Sequence, residues 1–317
     1  MEHQFHQWIK QNFEASAAEA SGEASDQAHV ILGPGDDGAI LRVDSGRDIL
    51  LATDTIADGT HFDLQQHDLE LVGRKSLAVN LSDIAAMGGR PESVVLNFML
   101  PGSFGIEEAK SIFNGVQKLA DRFNVAIVGG DSNRWDGKLV VGATVLGSRK
   151  STQTGWAIGG AKPGDAIVVS GVFGGSIHGR HLSFEPRVEL AMYLADNYQI
   201  DGATDASDSL SLDLNAMLSA SQPKLGADLD LSSIPISSDV KETETDQRLK
   251  RALSDGEDFE LILAVSPRQF DKLQNDDWIA RQSCVLTRIG TFTDKHTEIF
   301  GTDDGKRIKI HPEGYVH

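Results

Sequence analysis

The chain of 317 residues contains a single cysteine, Cys284, and far fewer basic than acidic side chains. One thiol excludes an intramolecular disulfide and a zinc ribbon, and points to a reducing compartment, the cytoplasm. Against 29 Lys and Arg stand 47 Asp and Glu, a net charge of −18. That sign repels phosphate backbones and anionic lipid, so neither a nucleic acid nor a membrane surface is an expected partner. No apolar run approaches the roughly 18 residues of a membrane span, and Met1–Lys10 does not read as a signal peptide. There is no Gly-x-x-x-x-Gly-Lys-Ser/Thr loop, no kinase-type glycine loop with a His-Arg-Asp partner and no His-Glu-x-x-His. The ten histidines show no metal-ligand spacing. An enzyme of this charge reaches an anionic substrate only through metal cations.

What the chain does have is a globular composition, 40% hydrophobic and 24% charged, and a length that predicts two domains. An amphipathic start (Phe5, Trp8, Ile9, Phe13) and an Ala/Ser/Glu stretch predict a helix and connector over 1–28. From 29 to 150 the text reads as strands and helices in mixed order. Asp48–Ala52 is a strand broken by Thr53-Asp54. Asp68–Met87 is a helix with Leu77, Leu81 and Ile84 on one face, stopped by Gly88-Gly89 and Pro91. Ser93–Leu100 is a strand, Ile106–Phe123 a helix, and Val125–Val128 a strand ending in Gly129-Gly130-Asp131. The pattern restarts near 150. Ala166–Ser170 and Phe259–Val265 read as strands, and Pro186–Asn197 and Ser209–Ser221 as helices. The absence of regular βα units makes the expected class α+β, with an N-terminal mixed sheet plus helices and a C-terminal α+β domain over 151–317.

The informative feature is a recurrence of acids at glycine or small-residue turns: Asp36-Asp37, Asp54, Asp131, Asp205 with Asp208, and Glu257-Asp258. Magnesium takes oxygen ligands, commonly a few carboxylates plus substrate phosphates, and glycine lets a phosphate approach the backbone. For any one site ordinary turn chemistry is the better explanation of the Asp; five such turns weaken it. Asp83 shares a helix face with Asn80 among apolar neighbours, a setting that demands a metal or a cationic partner, metal being favoured. Gly171-Val172-Phe173-Gly174-Gly175-Ser176 is glycine-rich after a strand, and a plain turn is its better reading.

The run Gly33–Leu41, Thr53-Asp54-Thr55 through Gly59-Thr60-His61-Phe62, and Lys75–Pro91 with its Asn80-Leu81-Ser82-Asp83 core resembles the thiamine-monophosphate kinase family. So do Gly129–Arg134, Gly160–Asp165, Asp205–Leu214, Gly256–Leu261 and the tail Gly314-Tyr315-Val316-His317. The resemblance spans nearly the whole chain and extends to an aminoimidazole ribonucleotide synthetase-like superfamily that includes selenophosphate synthetase and a hydrogenase maturation factor. Neither of those two is favoured, because the reactive cysteines they use are absent. The resemblance implies a two-domain aminoimidazole ribonucleotide synthetase-like fold, a homodimer joined through its N-terminal sheets, and transfer of a phosphoryl group from ATP to thiamine monophosphate with several Mg²⁺ ions. Position by position it implies metal ligands at Asp37, Ala52 (backbone), Thr53, Asp54, Asp83, Asp131, Asp205 and Asp208. Of these, Asp54, Asp83, Asp131 and Asp208 are the expected catalytic set. ATP contacts fall at Gly130, Asp131 and Ser207, and substrate contacts at His61, Glu257 and Tyr315. The alternative is a nucleotide-binding superfamily member with another substrate or without turnover. The chain departs from the family pattern at Ser209, where glycine is usual, at Ile158, where arginine is frequent, and at Asp255, where glycine is usual. A positive φ at Ser209 would cost about 1 kcal/mol.

Overall fold

The computed structural model describes residues 30–32, 40–41, 46–281 and 284–315. The segment 1–28 expected as helix and connector, and Asp36-Asp37, lie outside the described residues. The chain divides into two compact units, Met1–Ile84 with Gly89–Ser151, and Ala85–Gly88 with Thr152–His317.

In the first unit the short strands β1 (Val30–Leu32) and β2 (Ile40–Leu41) pair antiparallel. A four-stranded mixed sheet follows, built from β3 (Arg47–Ala57), β4 (Arg90–Pro101), β5 (Ala126–Trp135) and β6 (Val140–Lys150) in the order β3-β6-β4-β5. The helices are α1 (Leu69–Ala86) and α2 (Ile106–Phe123). α1 is buried almost all round, from Val72 through Ile84, as expected of a helix whose apolar residues do not keep to one stripe. α2 keeps Ala109, Ile112, Phe113, Val116 and Leu119 inside. It ends at Asn124 in the left-handed conformation, φ 54°, which asparagine tolerates better than most residues.

Two of the predicted strands run further than their glycines and aspartates suggest. β3 passes through Thr53-Asp54 without a break, because Thr53, Thr55 and Ile56 are β-branched and favour extended backbone. β5 likewise continues through Gly129-Gly130-Asp131 to Trp135, with a register shift against β4 that absorbs the irregular glycine backbone. Asp54 and Asp131 are therefore strand residues and not turn residues.

The second unit holds a seven-stranded sheet in the order β13-β12-β9-β11-β7-β10-β8. Its strands are β7 (Ala166–Ser170), β8 (Gly202–Asp205), β9 (Gly226–Asp230), β10 (Leu261–Val265), β11 (Leu286–Thr293), β12 (Ile299–Asp303) and β13 (Lys306–Ile310). All neighbours are antiparallel except β12 with β9. Between the strands lie α3 (Arg180–Ser183), α4 (Val188–Asn197), α5 (Leu210–Ala220), α6 (Thr245–Ser254), α7 (Pro267–Leu273) and α8 (Asp277–Ala280). The core joins Ile167, Val169, Ile262 and Ala264 of the central strands to Leu210, Leu214 and Met217 of α5. Arg187 clamps the buried Glu260 by two hydrogen bonds, Nε to Oε2 at 2.6 Å and Nη2 to Oε1, and Ser170 Oγ adds a third at 2.6 Å. The fold class is α+β, as the element order predicts.

α1 and α2 meet backbone to backbone. A Cβ on Gly73 would fall 1.8 Å from Ile112 O, and one on Gly115 the same distance from Glu70 O. Only glycine permits that approach, and it fixes the height of α1 and hence of Asp83. Gly115→Ala therefore destabilises the protein by overpacking, about 1–3 kcal/mol in a urea unfolding experiment, whereas alanine at exposed Gly102 changes stability by less than about 0.5 kcal/mol.

Candidate active site

In the first unit the described candidate acids sit on three elements, β3, β5 and α1, and His61 lies in the turn after β3. Thr53 and Asp54 are on edge strand β3, Gly130 and Asp131 on the opposite edge strand β5. The register runs Asp54, Ala143, Leu96, Gly130 along one cross-strand row and Thr55, Gly142, Asn97, Asp131 along the next. Three interstrand spacings, about 14 Å, therefore separate Asp54 from Gly130 along a flat sheet. Strand alternation places Ala52 and Asp54 on the face of buried Leu50 and Ile56, and Thr53 with exposed Leu51 on the other. Ile84 of α1 packs onto the Leu50 face, since a Cβ on Gly89 would meet both side chains; the half-buried Asp83 beside it is on the same side of the sheet as Asp54. Asp131 is exposed and accepts a hydrogen bond from Asn133 Nδ2 at 2.7 Å. Thr53 Oγ1 donates to Ala143 O at 3.1 Å and lies 2.8 Å from Thr144 Oγ1. Asn80, one helical turn from Asp83, is fully buried; its Nδ2 donates to Ser76 O, and its Oδ1 has no hydrogen-bond partner. His61 Nδ1 accepts from Ala57 N at 3.0 Å, and its carbonyl accepts from the buried Lys75 Nζ at 2.8 Å.

In the second unit Asp205 ends β8, and Ala206–Ser209 leads into α5. Ser209 has φ 173° and ψ 164°, plain extended backbone, so serine bears no conformational penalty there, and its Oγ caps the helix by accepting from Leu212 N at 3.0 Å. Asp213, four residues on, accepts from the amides of Asp208 and Ser209, both at 3.0 Å, and so holds the Asp208 backbone in place. Burial pushes the Asp213 carboxyl up to about 7, with the charges of Asp205 and Asp208 adding to the rise against the pull of those two amides.

Glu257 lies close by, its amide donating to Ser207 O at 2.6 Å. It adopts φ 63°, a left-handed conformation that a non-glycine residue holds only when its surroundings enforce it. Here Ser176 Oγ donates to its carbonyl at 2.7 Å, and its Oε2 lies 2.9 Å from His181 Nδ1, both side chains buried. Tyr315 N donates to Asp208 O at 3.0 Å. Burial raises the Tyr315 phenol above its ordinary value, and the charge of Glu257 raises it further.

The structure thus gathers Asp205, Ser207, Asp208, Glu257 and Tyr315 into one neighbourhood, and Asp54 with Asp83 on one side of the first sheet. Asp131 stands apart from Asp54 across that sheet, and Asp37 lies outside the described residues. Asp255 donates no loose charge to the site: its carboxylate accepts from Gly175 N at 2.8 Å and pairs with Arg251 at 3.1 Å. The amides of Gly174 and Gly175, which a phosphate loop would offer, are taken by Asp258 and Asp255, so the glycine-rich run is a turn. His181 and Asp213 escape the sequence reading. Asp213 could have been found from its four-residue spacing to the capping Ser209. His181 had no local signal, since only the fold brings it to Glu257.

Among the described residues no three His, Cys, Asp or Glu side chains close on one point. Pairs of oxygen donors, an orphaned Asn80 carbonyl near Asp83 and the carboxylates of Asp205 and Asp208 beside Asp213 fit magnesium, which takes one or two carboxylates and shares its remaining positions with water and phosphate. No helix of the described residues is long and apolar enough to cross a membrane.

Residues 35–148 match the family of AIR synthase related protein, N-terminal domain, which sets the class of fold. The Rhodopirellula baltica thiamine-monophosphate kinase is 38% identical over 309 residues, covering 93% of this chain and 94% of that one. The crystal structure of the thiamine-monophosphate kinase from Stenotrophomonas maltophilia superposes with a TM-score of 0.78 at 28% identity, covering 93% and 95% of the two chains. AaThiL complexed with AMPPCP and TMP shares the fold, with a TM-score of 0.72 at 21% identity over 95% and 94%. The chain belongs to the thiamine-monophosphate kinase family.

The charge of Glu257 reaches Tyr315, so neutralising it has a definite sign. Glu257→Gln removes a repulsion on the phenolate, and the Tyr315 pKa falls toward its ordinary value while burial keeps it above that value. NMR titration of ring-labelled tyrosine reads the shift; an unchanged Tyr315 pKa contradicts the geometry.

Proposed function

We propose that this chain transfers the γ-phosphoryl group of ATP to thiamine monophosphate, yielding thiamine diphosphate and ADP. What carries the reading is a relative 38% identical over 94% of its length that bears the name thiamine-monophosphate kinase, together with the presence of acids at the positions the family resemblance implies, Asp54, Asp83, Asp131, Asp205 and Asp208. A phosphate oxygen of the acceptor attacks the γ-phosphorus, and the bond to the β,γ-bridging oxygen breaks in line, leaving ADP. The nucleophile is already ionised, so no general base and no phospho-enzyme is needed.

The obstacle is repulsion between two anionic phosphates beside anionic side chains. Asp54, Asp83 and Asp131 in the first unit, and Asp205 and Asp208 in the second, with Asp37, Thr53 and the Ala52 carbonyl, are the residues that would hold several Mg²⁺ ions. Bound there, magnesium neutralises the phosphates and stabilises charge on the transferring group. Gly130, exposed and without a side chain, and Ser207 offer backbone and hydroxyl contacts to ATP. Glu257 and Tyr315 offer a carboxylate and an aromatic face to the organic rings of the acceptor, with His61 as a further contact. The open face of the first sheet, with Leu51 at 66% and Ile49 at 40% exposure, supports a homodimer joined there, and the single buried thiol Cys284 accords with a cytoplasmic setting.

Purified protein given ATP, Mg²⁺ and thiamine monophosphate forms thiamine diphosphate and forms none from free thiamine. Mg²⁺-dependent ATP binding without product would refute the kinase reading and favour a nucleotide-binding protein with another substrate. Asp54→Asn and Asp208→Asn each lower kcat by at least about 100-fold, read at saturating ATP and thiamine monophosphate.

A further inference from the structure

The C-terminal residues Glu313-Gly314-Tyr315 are fastened to the start of α5 by a set of contacts that helix capping alone does not require. Ser209 Oγ donates to Glu313 O at 2.7 Å, and Ser211 Oγ lies 2.9 Å from the same carbonyl. Glu313 N lies 3.1 Å from Ser211 Oγ, and Tyr315 N donates to Asp208 O at 3.0 Å. Both serines are buried, Ser209 fully. Gly314 is pressed so closely on this surface that a Cβ would fall 2.4 Å from Leu212 Cδ1, 2.7 Å from Asp208 O and 2.8 Å from Ser209 Oγ. Just beyond the clamp, a Cβ on Gly256 would meet Tyr315 Cβ at 2.8 Å, which sets the tyrosine against the Gly256-Glu257 turn.

We propose that Ser209 and Ser211 are positioning residues: their hydroxyls clamp the Glu313 peptide and so place Tyr315 beside Glu257, where the two receive the organic part of the acceptor substrate. Serine at 209 then has a task that glycine cannot perform. A glycine there could start the helix almost as well, but it would leave Glu313 O with one donor fewer. Because the tail is tied to Asp208 through its backbone, the clamp also joins the aromatic contact to the loop that carries Asp205 and Asp208. This inference rests on the assignment of Glu257 and Tyr315 to the acceptor substrate.

The test uses the full-length chain with Ser209→Ala/Ser211→Ala, single Ser209→Gly, and Ser221→Ala as a control. Ser221 Oγ donates to Met217 O at the far end of the same helix, so its loss weakens α5 without touching the tail. Hydrogen exchange of the tail amides, including Tyr315, is at least about tenfold faster in the double variant and unchanged in the control. The KM for thiamine monophosphate rises about tenfold in the double variant and in part in Ser209→Gly, while kcat and the KM for ATP stay within about twofold. Accelerated exchange with an unaltered KM, or a lower unfolding midpoint as the sole effect, would overturn the positioning role. If the wild-type protein forms no thiamine diphosphate, the functional reading falls, and unaltered exchange in the double variant would overturn the clamp itself.

Discussion

Fixed negative charge is the constraint on which the rest of this molecule turns. A protein with net charge −18 that belongs to a phosphate-handling kinase family must keep its own acids from repelling phosphate. In the second unit the fold brings Asp205, Asp208 and Asp213 together at one helix start, where burial drives the Asp213 carboxyl up to about 7 and the other two charges add to the rise. Elsewhere it disposes of charge within the structure. Asp258 pairs with Arg180 at 2.8 Å, Glu260 with Arg187, and Asp255 with Arg251. The acids thus fall into two populations. Those of the 255–260 segment that face arginines hold the fold together, and those at 54, 83, 131, 205 and 208 are the ones we propose for ligands.

The second population depends on scaffolding that has no chemistry of its own. Asp83 is held by a helix buried on nearly every side and pinned at Gly73 and Gly115. Asp208 is held from both directions, by Asp213 on its amide and by Tyr315 on its carbonyl. Glu257 keeps its left-handed backbone because Ser207 and Ser176 bind the peptide on either side. Geometry of this kind is what phosphoryl transfer asks of a protein, since alignment and charge neutralisation supply most of the rate enhancement.

Much of the fold was legible in the sequence where periodicity was strong. Ile106–Phe123 and Ala166–Ser170 fall on the expected residues, and the class follows from the irregular element order. The strands through Thr53-Asp54 and Gly129-Asp131 were not legible, because aspartate and glycine ordinarily end a strand and here do not. β9, β11, β12 and β13 escaped the reading as well. Edge and two-sided strands carry little alternation, and their pairing is decided by distant partners. For the candidate site, single residues were readable from motif likeness, but their grouping was not. No spacing in the sequence says that His181 meets Glu257 or that Glu313 closes on Ser209, since these contacts join segments 76 and 104 positions apart.

The central claim is that crowded acids, answered by cations, allow one phosphate to attack another directly with no covalent intermediate on the protein. The stereochemical course at phosphorus tests it most directly, using ATP made chiral at its γ-phosphorus and thiamine monophosphate as acceptor. A single in-line displacement predicts inversion of configuration in the thiamine diphosphate formed. Retention would mean two displacements through a phosphorylated side chain, and would contradict the account.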